Sequence, residues 1–207
     1  MVVFKFEKTS TGALAAHVDT LRAVTYVFRR AEVDVEYSQG FNPHMELVFS
    51  PPLALGVESL CEYVGAKTEY RDGLLEKLNA VCPNGLRFTK VFDKQVNLAA
   101  KINRATYKAE AQGLGDVVQE ILSSDYAVCY VEKGTEVQKN VSSRIFGAER
   151  LDADSALITL AVGNDNLRPD RLVRHLMNVH QLSGDYKITK IKSYVGDVET
   201  DEYIAGL

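Results

Sequence analysis

His17 and Asp19 stand two residues apart and are followed by Arg22, Arg29 and Arg30. An imidazole and a carboxylate this close are candidates for catalysis, the carboxylate as a nucleophile. The arginines add forked, permanently charged donors that grip planar anions through paired hydrogen bonds. Plainer roles exist for the same residues. Asp19 and Arg22, spaced i, i+3, make an ordinary surface ion pair, and an aspartate in a first helical turn complements the helix dipole. A half-buried histidine often does no more than satisfy a hydrogen bond. Both readings are open from these residues alone.

The second chemistry-bearing stretch is YSQGFNPH, residues 37–44. Gly40 permits positive φ, and Asn42 before Pro43 is pushed toward extended backbone, which together account for a turn. Tyr37, Ser38, Gln39, Phe41 and His44 are surplus to that turn. Aromatic faces beside amide and imidazole edges suit a stacked, hydrogen-bonded planar ligand. A phosphate nest is less apt, because one glycine lacks the repeats of a true phosphate loop. SPPLALGVES then forms a rigid, non-helical connection that adds the carboxylate of Glu58.

These residues must be held by regular elements. HVDTLRAVTYVFRRA has helical periodicity, and at 100° per residue Val18, Leu21 and Phe28 fall within about 40° of Leu14 as its core stripe. His17 lies at the stripe's edge, while Asp19, Arg22, Tyr26, Arg29 and Arg30 share the other face. Before it runs the alternating strand VVFKFE; after it come extended DVEYS, ELVFSP and EYVGAKTE, a helix over DGLLEKLNAVC and the strand LRFTKVF. PNG at 83–85 is expected to close that helix. A second cycle has the strand ATYKAEAQ, a helix over GDVVQEILSS, the strand AVCYVEKG, a loop-rich stretch, the strand ALITLAVG, a helix opening at Pro169 and the strand DYKITKIKSYV. Each cycle approximates β-α-β-β-α-β, with one extra extended segment in the first. The fold class is α+β: two ferredoxin-like (split βαβ) lobes, residues 1–95 and 103–196, with 197–207 as a tail. Whether the lobes share a continuous antiparallel sheet is open.

Composition narrows the partners. The net charge of −4 argues against avid, nonspecific nucleic-acid binding through a broad basic field. Residues 1–103 balance 12 Lys+Arg against 12 Asp+Glu, and residues 104–207 carry 12 against 16, so a polyanion site is expected in the first half. Cys61, Cys82 and Cys129 are too scattered for a disulfide framework or a zinc ribbon, and His175 and His180 are five apart, so no metal is expected. No apolar run reaches the roughly 20 residues of a membrane helix, and MVVFKFEK is too charged for a signal peptide, so a cytoplasmic chain is expected.

His17-Val18-Asp19 through Arg29-Arg30-Ala31, then YSQGFNPH, PLALGVES and Glu62-Tyr63, together resemble the radical SAM-associated family of unknown function, whose pattern is close to SHLD, RALRRAGLP, YSxGFNPHP, LPLGVES and EY. Leu167-Arg168-Pro169-Asp170 also resembles that family's RP-(E/D) helix start. The resemblance runs over about residues 3–194 and is specific in the first 65. It implies a partner, a radical SAM protein carrying an iron–sulfur cluster, S-adenosylmethionine and a cobalamin-binding-like region, and an RNA- or ribosome-related setting. Two departures matter: Ala16 replaces the capping Ser, so an earlier helix start is expected, and Met45 replaces a Pro, so an earlier strand start is expected. The cysteines, 21 and 47 residues apart, do not match the CxxxCxxC spacing of a radical SAM cluster, so the radical chemistry would belong to the partner.

The reading that follows is an accessory or substrate-presenting protein for a radical SAM enzyme, in RNA or ribosome-related modification, with RNA or an RNA-bound protein as substrate and no cofactor in this chain. Its binding residues would be Arg22, Arg29, Arg30, Tyr37, Ser38, Gln39, Gly40, Phe41, Asn42, His44 and Glu58. The alternatives are an RNA-modifying enzyme, by fold-level analogy with pseudouridine synthases, with Asp19 as nucleophile and His17 beside it, or a protein–protein adaptor whose loop docks the partner. Oligomeric state is not readable from the sequence.

Overall fold

The computed structural model describes residues 1–132 and 134–207 and divides into two compact units: residues 1–102 with 194–207, and residues 103–193. In unit 1, β1 (Val2–Lys8) leads through a 3-10 turn at Ser10–Leu14 into α1 (His17–Arg30). β2 (Leu47–Phe49), β3 (Glu58–Ala66), α2 (Leu74–Asn79) and β4 (Leu86–Phe92) follow. The strand order is β4-β1-β3-β2, every neighbour antiparallel, which is the split βαβ order.

The core of unit 1 is aromatic. Phe4 meets Phe28 edge-on at 5.0 Å between centroids, and Phe88 closes the triangle at 6.2 Å from Phe4 and 5.8 Å from Phe28. Such edge-to-face pairs stabilise beyond their area burial. Asn79 fixes α2 to β4 through two bonds: its Nδ2 donates to the Phe88 carbonyl at 2.8 Å and its Oδ1 accepts from the Phe88 N–H at 2.9 Å. The buried stripe of α1 is Thr20, Val24, Val27 and Phe28, whereas Leu14 and Val18 are 73% and 55% exposed. The expected stripe is therefore rotated. What sets it is the Phe4–Phe88 surface the helix must cover, and Leu14 belongs to the preceding 3-10 turn.

Four other expectations are revised here. The helix does not start early despite Ala16: it begins at His17, and Thr20 Oγ1 donates to the Ala16 carbonyl. α2 ends at Asn79 with right-handed Ala80 as its cap, so PNG does not close it. Gly85, at φ 83°, instead lies against Gly12, and its carbonyl accepts from the Thr9 N–H. DVEYS contributes one isolated bridge, Tyr37 to Met45, and β2 begins at Leu47. α1 closes through Glu32 at φ 52°, with the Val33 N–H bonded back to the Phe28 carbonyl, a Schellman closure with a non-glycine at the left-handed position.

Unit 2 contains β5 (Arg104–Glu110), α3 (Leu114–Val117) running into a 3-10 turn at Val118–Leu122, β6 (Ala127–Glu132) and β7 (Thr135–Asn140). β8 (Ile145–Arg150), β9 (Ser155–Ala161), α4 (Pro169–Val179) and the 187–193 part of β10 (Lys187–Val195) complete it. Its strand order, β10-β5-β9-β8, repeats that of unit 1. The predicted strand AVCYVEKG exists as β6 but is not the second strand of the cycle. Among the described residues it pairs only with β7, as a separate hairpin, and β8, inside the stretch expected to be loop, fills the sheet position. Each unit thus carries a hairpin between its first helix and its second sheet strand: residues 37–45 in one, β6–β7 in the other.

The last residues are no free tail. β11 (Val198–Glu199) pairs with Tyr194 and Val195, and α5 (Thr200–Ala205) brings Asp201 to Tyr63 Oη at 2.7 Å, Lys5 Nζ at 3.0 Å and Lys90 Nζ at 3.1 Å. Burial raises the Asp201 carboxyl, but the bonds from Tyr63 and Lys5 and the nearby charge of Lys5 outweigh it and hold the group below its ordinary value.

Candidate functional site

YSQGFNPH forms the tip of a braced hairpin. The Glu46 N–H donates to the Glu36 carbonyl at 2.9 Å and the Ser38 N–H to the His44 carbonyl at 2.8 Å. Ser38 Oγ lies 2.8 Å from His44 Nδ1 and accepts from the His44 N–H at 3.1 Å. Ser38 and His44 thereby close a five-residue tip, Gln39–Pro43, in which Gly40 takes φ 139°. Met45 is buried and anchors the returning limb in the core. Phe41 stands wholly exposed at the tip, with Gln39 and Asn42 exposed on either side and Tyr37 part-exposed below.

The hairpin's backbone partners are its own two limbs and Lys67 after β3, rather than α1: the Glu36 N–H donates to the Lys67 carbonyl and the Lys67 N–H to that of Glu46. Lys67 Nζ pairs with Glu46 and, at 3.6 Å, with Glu36; the Glu46 carboxylate chiefly raises its ammonium group. Beside this base lies an open concavity of about 840 Å³ with Asp34, Glu36, Glu69 and Asp93 against Lys67 and Arg71. A surface of this sign repels a phosphate backbone.

The other candidates fall into separate groups. Asp19 and Arg22 pair with each other at 3.5 Å in water, an arrangement of little energetic consequence. Arg29 and Arg30 are exposed in the last turn of α1, where cations complement the helix dipole. Glu58 accepts from the Ser10 N–H at 2.9 Å and so pins the 3-10 turn. His17 is turned away from Asp19, toward a cavity of about 10 Å³, room for about one water, shared with Lys8, Ser50 and Glu62.

Glu62 is what the sequence reading missed as a site residue. Its buried carboxylate accepts from Ser59 Oγ at 2.7 Å and Ser50 Oγ at 3.0 Å, and Lys8 Nζ nearby donates to the Ala15 carbonyl at 2.8 Å. Burial lowers the His17 imidazole, Glu62 opposes that shift and Lys8 adds to it. The available signal was Glu62 in the EY motif, between the apolar Cys61 and Tyr63 of β3.

The fold and site together define an α+β protein of two ferredoxin-like units with a braced, aromatic-tipped hairpin in the first. The chain belongs to the family described as an uncharacterized protein conserved in bacteria (DUF2344), whose pattern matches residues 2–169. No curated protein matches it. Among solved structures it is similar to a chain of the "Crystal Structure of a Cbf5-Nop10-Gar1 Complex", at 8% identity and a TM-score of 0.48 over 97% of this chain and 50% of that one. The chain thus spans about half of that protein's length, and a likeness of this degree says nothing about function.

Proposed function

We propose that the chain is an accessory, substrate-presenting protein for a radical SAM partner, and that the 37–45 hairpin is the element that docks the partner. The observation that carries this is Phe41: a whole aromatic side chain held in water at the tip of a hairpin whose limbs are locked by Ser38 and His44. A rigid aromatic anchor presented without an ordering cost is what a protein interface uses as a hot spot. The acidic concavity at the hairpin's base favours a protein surface over a polyanion at this place. The radical SAM identity of the partner rests on the resemblance of residues 17–63. The partner would supply the iron–sulfur cluster, S-adenosylmethionine and any cobalamin, and the substrate class would be RNA.

Co-expression with a candidate radical SAM protein, followed by affinity capture in the presence of RNase, tests the reading. Capture is expected with the unaltered chain and with an Arg22→Ala control, and it is expected to drop about tenfold or more with Phe41→Ala. Capture that ignores Phe41, or none at all, refutes the docking role.

A further inference from the structure

Unit 2 contains a groove that the sequence reading did not foresee. Two adjoining cavities, of about 630 and 170 Å³, lie between β6 and α4 and share Tyr130, Arg168 and Arg171. The smaller adds Lys139 and Arg144, and the wider adds Arg174, His175 and the carboxylate of Glu136. Among the described residues of its lining, five cations therefore face two carboxylates, Glu136 and Asp170, in a chain whose net charge is negative.

Asp170 is already committed. It is 2% exposed and accepts from Arg168 Nε at 3.0 Å and Arg168 Nη2 at 2.7 Å, with Arg174 Nη2 at 3.5 Å. Arg174 Nε donates to Tyr186 Oη at 2.7 Å. Among the described residues no carboxylate comes within ion-pair distance of Lys139, Arg144 or Arg171. Arg144 and Arg171 are half-buried, so their charges are part-stripped of water without a counter-ion, which a bound anion would relieve. Arg171 also lies over the Tyr130 ring, 4.2 Å from its centroid. Val131 and Val179 add exposed apolar surface at the rim of the wider cavity.

We propose that this groove binds a nucleotide unit, with its phosphate between Arg144 and Arg171 and its base on the surface made by Tyr130, the Arg171 guanidinium and the rim valines. Guanidinium forks suit phosphate oxygens, and an aromatic ring stacked with a guanidinium offers the flat surface a base covers. An acidic peptide would use the cations and leave that surface bare. His175 accepts the Cys129 N–H through Nδ1 at 3.2 Å, and burial lowers its imidazole. It therefore offers the groove a neutral edge rather than another charge. The nucleotide comes from single-stranded RNA or from a free nucleotide, and the assignment rests on the substrate half of the reading above.

The test is fluorescence anisotropy of the full chain with labelled oligouridylate at low and rising salt, with 5′-AMP titrated separately. Arg144→Ala and Arg171→Ala are each expected to weaken binding about tenfold and to flatten the salt dependence by about one phosphate's worth. Arg171→Lys, which keeps the charge and loses the planar stack, is expected to fall between them and the unaltered chain. Lys77→Ala, on an exposed face of α2, is expected to change nothing. Binding of RNA assigns the strand as source, and arginine-dependent binding of 5′-AMP alone assigns the free nucleotide. Binding indifferent to both arginines, or no binding of either probe, overturns the groove; partner capture through Phe41 is scored separately and survives that result.

Discussion

Removing the Asp201 carboxylate is expected to loosen unit 1 even though the residue lies only six positions before Leu207. Its side chain is 16% exposed and takes bonds from Tyr63, Lys5 and Lys90. Lys90 is 56% exposed, so its share is close to nothing after solvent screening. The Tyr63 and Lys5 bonds are part-buried and charge-assisted, each contributing about 1.5–3 kcal/mol where it forms. Because they end on the two oxygens of one carboxylate they are not additive, and Asp201→Ala is expected to cost about 3 kcal/mol. That corresponds to a drop of about 10 °C in the melting midpoint of unit 1. Asp201→Asn keeps an acceptor for Tyr63 and should lose about half as much. The carboxyl is held below its ordinary value in the folded chain. Its stabilisation is therefore present above the unfolded value of about 3.9 and disappears as the pH falls through the folded one. Urea unfolding of the three proteins at neutral pH and in strong acid measures both effects. A neutral-pH difference under about 0.5 kcal/mol, or a deficit of equal size in acid, would refute the reasoning.

Further outcomes are specific to other parts of the molecule. Phe28→Ala empties one corner of the Phe4–Phe28–Phe88 triangle and is expected to cost about 3–5 kcal/mol in urea unfolding. The His17 imidazole should titrate below the ordinary histidine value by NMR, and Glu62→Gln should lower it further, since Glu62 is the group that opposes the shift. Glu32→Gly should raise stability by about 0.5–1 kcal/mol, because the left-handed position that closes α1 costs a side-chain-bearing residue more than glycine. A destabilised Glu32→Gly protein in thermal melts would contradict that closure.

Much of the scaffold was legible because local signals agreed with the tertiary answer. The alternation of VVFKFE and LRFTKVF, and Pro169 at the first position of α4, place β1, β4 and α4 within a residue or two. The failures have physical reasons. AVCYVE has sound strand chemistry, but nothing local tells a strand which partner it will take, so β6 was put in the sheet instead of β8. IFGAER, with Gly147 inside it and Phe146 exposed, offered no alternating face to compete. The site showed the same division. Gly40, Asn42 and Pro43 announced a turn, whereas the Ser38–His44 brace that leaves Phe41 outermost is a matter of register. The basic groove was invisible because the charge of residues 104–207 is net negative, and a sum along the chain averages over faces that folding separates. Glu62, surrounded by apolar residues in β3, needed its two serine partners in view before it read as anything but core.

The recurrence of a hairpin between first helix and second sheet strand has a consequence for how this chain tolerates change. At that one position in each unit, the polypeptide leaves the sheet and returns as its next strand, β2 in one and β8 in the other. Composition there is tied to the core at Met45 in one insert and at Val128 in the other, and the two units differ in the rest. One insert ends in an unsupported aromatic ring; the other lies against α4, from which His175 accepts its Cys129 N–H, and walls a cavity. Exchanging exposed residues at either insert is therefore expected to leave the strands around it in place, which urea unfolding of such variants measures.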